Sequence, residues 1–304
     1  MKVLAIAISE KKGVKKTVQP EVIIKKGYGI VNDAHGGNWH RQISLLANES
    51  IEKMRRQGLD VTFGSFAENI ATEGIELNKL ELGTRLKIGG EVVLGVTQIG
   101  KTCHERCAIY YQAGDCVMPK EGIFATVLKE GKIKPGDPIE IIPSYTAAIL
   151  TVSDKGFNGE RVDTAGPAAK LGLAQIGIKV EQMDIVPDEH DKITEKLQTW
   201  VDSNLSIVIT SGGTGLSPRD ITPEATQSFV DKEVPGIMEM IRSNSSKYTP
   251  KAYLTRGICG ISDNTLIINL PGSEKAVKES MGIISPILEH ALETLQGKTQ
   301  DCGR

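Results

Sequence analysis

Two domains are expected of this 304-residue chain: a β-rich, barrel-like one over residues 1–143, then an α/β three-layer one with a mostly parallel sheet over 146–304. Three observations predict this. The first half carries many short β-branched runs separated by glycine-containing breaks, with one helical pattern. The second half alternates apolar strand-like runs with helical patterns, as a parallel sheet with crossover helices requires. Between them lies Lys134-Pro135-Gly136-Asp137-Pro138, a turn leading into one last strand that ends at Pro143.

In the first half, Val3–Ile8, Glu21–Lys25, Gln42–Ala47, Arg85–Ile88 and Val92–Gln98 each have strand character. The helix runs from Asn48 to Gln57, with Asn48 as its cap, Ile51 and Met54 on one face and Gly58 as its stop. Lys101-Thr102-Cys103-His104-Glu105-Arg106-Cys107 follows the last of these strands. A cysteine beside Lys101 and Arg106 can hold a stabilised thiolate, which suits a sulfur carrier or a soft-metal ligand. A competing reading is a zinc site from Cys103, His104, Cys107 and Cys116, although this is not a standard finger spacing; the bland alternative is a pair of partly buried cysteines.

In the second half, Ala147–Val152, Lys179–Val186 and Leu205–Thr210 are strands. Gly257–Ser262 and Thr265–Leu270 form a hairpin across Asp263-Asn264. Helices are expected from the cap Asp163-Thr164 to about Gln175, over Asp191–Ser203, from Pro223, and over Pro235–Ser245. Two more are expected over Glu274–Ile284 and Pro286–Leu295, with Pro286 as the break.

The second half is organised around Thr210–Thr226. A buried strand runs into Gly212-Gly213-Thr214-Gly215. Asp220 follows, and Thr222-Pro223-Glu224 then opens a helix, with Thr222 as cap and proline at the first helical position. Ser153-Asp154, Pro187-Asp188-Glu189, Ser211 to Asp220 and Pro271-Gly272-Ser273 all fall at strand ends. In a parallel sheet those ends share one crevice at the carboxyl edge, where such sheets bind ligands. Neither GxxxxGK[ST] nor GxGxxG occurs, which argues against a standard P-loop or nicotinamide enzyme. The crevice suits nucleotidyl or phosphoryl transfer. Ser211, Thr214 and Ser217 can cradle phosphate oxygens. Asp188 and Asp220 can hold Mg2+, which takes one or two carboxylates plus substrate phosphates. Arg219 or Lys275 can bind a phosphate. As alternatives, Asp220 caps a helix, Asp188 starts one, and Asp154 is a turn residue.

Composition narrows the class. A net charge of −2 gives no global field for nucleic acid. No apolar run approaches the ~20 residues of a bilayer span. The segment Val3 to Ile8 is too short for a signal-peptide core. Five cysteines without framework spacing suggest reduced thiols and a cytoplasmic setting.

Family resemblance adds to this. His35-Gly36-Gly37, Arg41-Gln42-Ile43-Ser44-Leu45-Leu46, Gly64-Ser65-Phe66-Ala67-Glu68-Asn69-Ile70, Leu82-Gly83-Thr84-Arg85-Leu86-Lys87-Ile88-Gly89 and Gly100-Lys101-Thr102-Cys103, in that order, resemble a MOSC domain. The resemblance implies a β-rich barrel. It places Cys103 on the family's cysteine, proposed to carry sulfur as a persulfide or to ligate molybdenum. Molybdenum cofactor sulfurases join such a domain to a pyridoxal-phosphate domain that supplies sulfur; the resemblance here covers the MOSC part alone.

Ser153-Asp154, Asp163-Thr164-Ala165-Gly166-Pro167, Val186-Pro187-Asp188-Glu189, Thr210 to Gly215, Arg219 to Thr226 and Leu270-Pro271-Gly272-Ser273 look like the molybdopterin adenylyltransferase family. That resemblance implies transfer of AMP from Mg-ATP to the terminal phosphate of molybdopterin, releasing pyrophosphate. It makes Asp188 and Asp220 the residues of Mg2+ binding and catalysis. Ser153 and Asp154, with Ser211, Gly212, Gly213, Thr214, Gly215 and Ser217, would contact nucleotide or pterin, and Pro271, Gly272 and Ser273 would border the molybdopterin pocket. It also implies a homotrimer and other molybdenum cofactor biosynthesis proteins as partners. The rival readings are a non-catalytic molybdopterin scaffold and a sulfur carrier using Cys103.

Overall fold

A computed structural model describes residues 1–101 and 116–298 of the chain; Cys103, His104 and Cys107 lie outside them. The chain divides into two compact units, Met1–Ser144 with Ala174–Gly177, and Tyr145–Leu173 with Ile178–Arg304.

The first unit is built of strands β1 (Lys2–Ile8), β2 (Thr17–Gln19), β3 (Val22–Lys25), β4 (Gly29–Ile30), β5 (Ile43–Ala47), β6 (Ile70–Glu73), β7 (Arg85–Ile88), β8 (Val92–Ile99), β9 (Ile123–Lys129), β10 (Gly131–Ile133) and β11 (Ile139–Ile142). Helices α1 (Asn48–Arg56) and α2 (Met118–Glu121) accompany them. Eight strands form one sheet in the order β11-β7-β8-β9-β5-β6-β1-β2, and β10-β3-β4 form a second. In the large sheet β5 and β6 pair in parallel, and the other neighbours are antiparallel. The large sheet curls until β1 meets the approach to β11. Val3 N–H donates to the Asp137 carbonyl at 2.9 Å, Gly136 N–H to Val3 at 2.8 Å, and Ile139 N–H to Met1 at 2.9 Å. This seam closes the expected barrel and removes the unpaired edge that an open sheet would leave there. Its interior is aliphatic, with Ile6, Ile24, Ile43, Leu45, Ile70, Leu86, Leu94 and Val96 fully buried. Helix α1 packs outside, through Ile51 and Met54 against Leu46 and Phe66.

Asn48 does not cap α1. The helix starts directly from β5, so extended Ala47 occupies the cap position, and the Asn48 Oδ1 is buried without a partner among the described residues.

One polar cluster sits inside this unit. The Lys16 ammonium and the Asp33 carboxylate are an ion pair with both side chains fully buried. Ser9 N–H donates to Asp33 Oδ1 at 2.9 Å, and Lys16 Nζ lies 3.1 Å from His35 Nδ1. Burial alone would raise the Asp33 carboxyl, but hydrogen bonds from His35, Lys16 and Ser9 outweigh it and hold the group well below the usual carboxylate range.

The second unit contains β12 (Tyr145–Val152), β13 (Ile178–Val186), β14 (Ile207–Ser211), β15 (Lys232–Glu233), β16 (Cys259–Ser262) and β17 (Thr265–Leu270). Its helices are α3 (Asp154–Phe157), α4 (Ala165–Gln175), α5 (His190–Asp202), α6 (Thr222–Gln227), α7 (Pro235–Ser245) and α8 (Glu274–Leu295). The sheet order is β13-β12-β14-β17-β16-β15. The first four strands are mutually parallel; β16 and β15 are antiparallel. Ala148, Leu150 and Val152 turn to one face and bury Ile193, Leu197 and Trp200 of α5 and Ala225 of α6. Helix α8 packs on β17 and α7, outside that cluster.

Residues 274–295 are one helix, not two. Pro286 is exposed, and the buried row Val277, Met281, Ile284, Leu288 and Leu292 continues past it. Packing of one apolar face outweighs the single lost backbone hydrogen bond. Among the described residues, no helix is long and apolar enough to cross a membrane.

Candidate functional site

The order β13-β12-β14 means that the chain leaves β12 toward one side and returns to pair on the other. The loops after β12 and β14 therefore diverge and open a crevice at the carboxyl edge of the sheet. A cleft of about 490 Å³ lies there.

The glycine loop forms its floor. Gly212 has φ +105° and approaches the neighbouring strand β12 so closely that an added Cβ would lie 2.2 Å from the Val152 carbonyl oxygen. Gly213 has φ +60°; a Cβ there would lie 2.2 Å from Thr222 Oγ1 and 3.0 Å from Asp188 Oδ1. Two left-handed residues in contact with three other segments explain why glycine occupies both positions. Gly212→Ala is expected to destabilise the second unit by about 4 kcal/mol, combining left-handed strain with an overpacked contact. Urea unfolding of the purified variant measures this.

Three acidic loops meet above this floor. Asp154 N–H donates to Asp188 Oδ2 at 2.9 Å, and Asp188 N–H donates back to Asp154 Oδ1 at 3.0 Å. This reciprocal pair locks the ends of β12 and β13 together. The Arg219 fork then engages Asp154, with Nη2 at 2.7 and 2.8 Å from its two oxygens. Arg219 holds the Asp154 carboxyl below the usual range. Burial, together with the charges of Asp154 and Asp220, pushes the Asp188 carboxyl above it. Asp220 lies across the cleft. Its Oδ2 accepts the Ser217 N–H at 2.7 Å, so it folds its own loop and does not cap α6. Thr222 is likewise no cap: it is the first residue of α6, with Ile221 before it and its hydroxyl buried without a partner among the described residues.

Of the residues expected at the site, Ser153, Asp188, Ser211, Gly212, Gly213, Asp220, Gly272 and Ser273 line the cleft. Their hydroxyls have structural work. Ser153 caps α3, Ser273 caps α8, and Ser211 donates to the Pro271 carbonyl at 3.1 Å. Asp154, Thr214, Gly215, Ser217 and Pro271 are not among the lining residues. Thr214 is buried and accepts from the Thr255 hydroxyl at 3.1 Å. Lys275 is 84% exposed and outside the cleft.

Sequence reasoning gave several residues no place in the cleft, although it read Asp163-Thr164 as a helix cap. Arg161, Val162, Asp163 and Thr164 also line the cleft. Asp163 accepts from the Thr151 hydroxyl at 2.8 Å and caps α4 through the Ala165 and Gly166 N–H groups at 2.9 and 3.0 Å. Arg161 is exposed and makes no ion pair among the described residues, unlike Arg219. Arg256 braces the glycine loop from behind. Its Nε donates to Gly215 O at 2.7 Å, its Nη2 donates to Asp220 O, and its Nη1 pairs with Glu224. No local pattern marks Arg256, because its partners are 32 to 41 residues away.

With a cleft, a glycine floor, two facing carboxylates and the positive end of the long helix α8 beside them, the site suits a phosphorylated ligand. The family model described as "Probable molybdopterin binding domain" matches residues 148–290, and the MOSC domain model matches residues 32–140. The chain is 36% identical over 152 residues to the molybdopterin adenylyltransferase of Helicobacter pylori, covering 49% of this chain and 86% of that protein. It is 44% identical over 154 residues to the molybdenum cofactor synthesis protein cinnamon of Drosophila melanogaster, covering 50% of this chain and 26% of that protein. The chain thus spans about a quarter of the length of cinnamon. A solved structure of the molybdopterin biosynthesis enzyme MoaB from Thermus thermophilus is 46% identical, covering 52% of this chain and 99% of that one, with a TM-score of 0.49. The chain therefore belongs to the molybdenum cofactor biosynthesis family of the molybdopterin adenylyltransferases, which are nucleotidyltransferases, and carries a MOSC domain ahead of that part.

Proposed function

We propose that the second unit adenylylates molybdopterin, transferring AMP from Mg-ATP to its terminal phosphate and releasing pyrophosphate. The observation that carries this reading is the placement of Asp188 and Asp220 on separate loops at the glycine floor of one cleft, neither in an ion pair among the described residues. That donor set fits Mg2+: two carboxylates on separate loops, with the phosphate side left open. When bound, the ion supplies charge neutralisation at the reacting phosphorus. The chain's own residues do the positioning. Gly212 and Gly213 let the ligand approach the backbone, Arg219 fixes Asp154 and through it Asp188, and Arg256 holds the carbonyl of Asp220. Arg161, in no ion pair among the described residues, supplies a cation for a ligand phosphate.

The testing assay gives the purified full chain molybdopterin, ATP and Mg2+ and measures adenylylated product and pyrophosphate together. Tight molybdopterin binding without pyrophosphate release would replace the enzyme reading with the scaffold. In the same assay, Arg161→Gln is expected to raise KM for one phosphorylated substrate about tenfold with little change in kcat. For the first unit we propose binding of a sulfur- or molybdenum-containing cofactor species through Cys103, supported by the family match. Cys103→Ser is expected to leave adenylyl transfer intact; its loss would make the two units one catalytic device.

A further inference from the structure

The loop from His35 to Arg41 lies in the first unit. It joins β4 to β5. Its last residues lie against the end of β8, where the Thr97 hydroxyl is bonded to the His40 carbonyl and lies 3.2 Å from the Phe124 carbonyl. The Arg41 guanidinium sits 4.8 Å from the centroid of the Trp39 ring and 5.6 Å from that of Phe124. Lys12 Nζ is 5.4 Å from the same Trp39 ring. The Arg41 Nε is buried without a hydrogen-bond partner among the described residues, and so is the adjacent His40 Nδ1. Arg41 makes no ion pair with a described carboxylate. The buried carboxylate in the same stretch, Asp33, is engaged by Lys16.

A guanidinium with a buried, idle N–H is unfavourable unless an acceptor such as an anion completes it. The Trp39 and Phe124 rings lie against its charged carbon, and its N–H groups form the binding edge. That edge matches two oxygens of one anion. Burial and the Arg41 charge lower the His40 pKa, so His40 is a neutral hydrogen-bonding neighbour and not a third repelling cation. Two cations with a neutral imidazole suit a doubly charged anion better than a single carboxylate.

We propose that Arg41, held by Trp39 and Phe124 and flanked by Lys12 and His40, is a binding site for a tetrahedral oxyanion, either free or as the phosphate monoester of an organic ligand. The site belongs to the first unit alone, and its binding readout is independent of product formation.

The chain's two tryptophans are Trp39 and the buried Trp200. In the full chain carrying Trp200→Phe, Trp39 emission therefore reports on Arg41. Titration with inorganic phosphate, molybdate and phenyl phosphate is expected to give a saturable change with at least one of them, and acetate none. A response to phenyl phosphate alone identifies a monoester; equal responses to the inorganic ions identify a free oxyanion. Arg41→Gln is expected to weaken binding by about tenfold or more, with Arg41→Lys in between. If Arg41→Gln fails to fold, the Lys variant decides by the same comparison. No saturable change in the parent, or unaltered affinity in the Arg41 variants, would overturn the site and leave Arg41 a structural arginine.

Discussion

Asp220→Asn is expected to lower turnover of adenylyl transfer by about a thousandfold while leaving the fold intact. The substitution keeps an oxygen that can accept the Ser217 N–H, which Asp220 Oδ2 accepts at 2.7 Å. The loop therefore retains its shape, and unfolding free energy is expected to change by no more than about 0.5 kcal/mol. What disappears is the negative charge facing the cleft. The Asp188 carboxyl also loses a like-charged neighbour, so its pKa is expected to fall toward the ordinary range. Steady-state kinetics with a parallel urea melt tests both statements. Near-normal turnover in a folded variant would remove Asp220 from the catalytic assignment.

Asp33→Asn is expected to destabilise the first unit by about 3–5 kcal/mol, because it strands the fully buried Lys16 charge. Removing both partners with Lys16→Met and Asp33→Leu is expected to restore most of that loss. If the double variant is as unstable as the single one, packing and not charge is what Asp33 supplies. The same pair sets an acid limit. Because the folded Asp33 pKa is depressed, its stabilisation is complete above the unfolded value of about 3.9 and is lost as pH falls from there toward the folded value. Unfolding of the first unit across that acid range is expected to shift in wild type and to flatten in Asp33→Asn.

Much of this architecture is legible in the sequence where the signal is local. The strands from Val3, Arg85, Val92 and Thr265 rest on short β-branched runs between turn residues, and all four are present within a residue or two. The convergence of Asp188, Gly212, Asp220 and Ser273 follows from one inference, that parallel strands put their carboxyl ends on one edge. Errors arose where a local rule met a non-local one. Pro286 reads as a helix break, yet the apolar row of α8 carries the helix through it. Asn48 and Thr222 read as caps, yet each is already inside its helix. Arg161 and Arg256 could not be foreseen, since their value depends on a loop trajectory and on partners far along the chain. The Lys16–Asp33 pair is equally hidden: a lysine in a polar stretch gives no sign that it is fully buried.

The seam that closes the barrel bears on how the protein acquires its structure. Val3 bonds to Asp137 and Met1 to Ile139, so the first and last strands of the unit must meet before the barrel exists. Contacts of such sequence separation incur their loop-closure entropy before any reward arrives, and chains dominated by them fold slowly. The second unit places β12, β13 and β14 side by side through successive crossovers, with much shorter loops to close. During synthesis the first unit therefore emerges with an open sheet edge until residue 139 is free, and that interval is when it is most exposed to pairing with another chain.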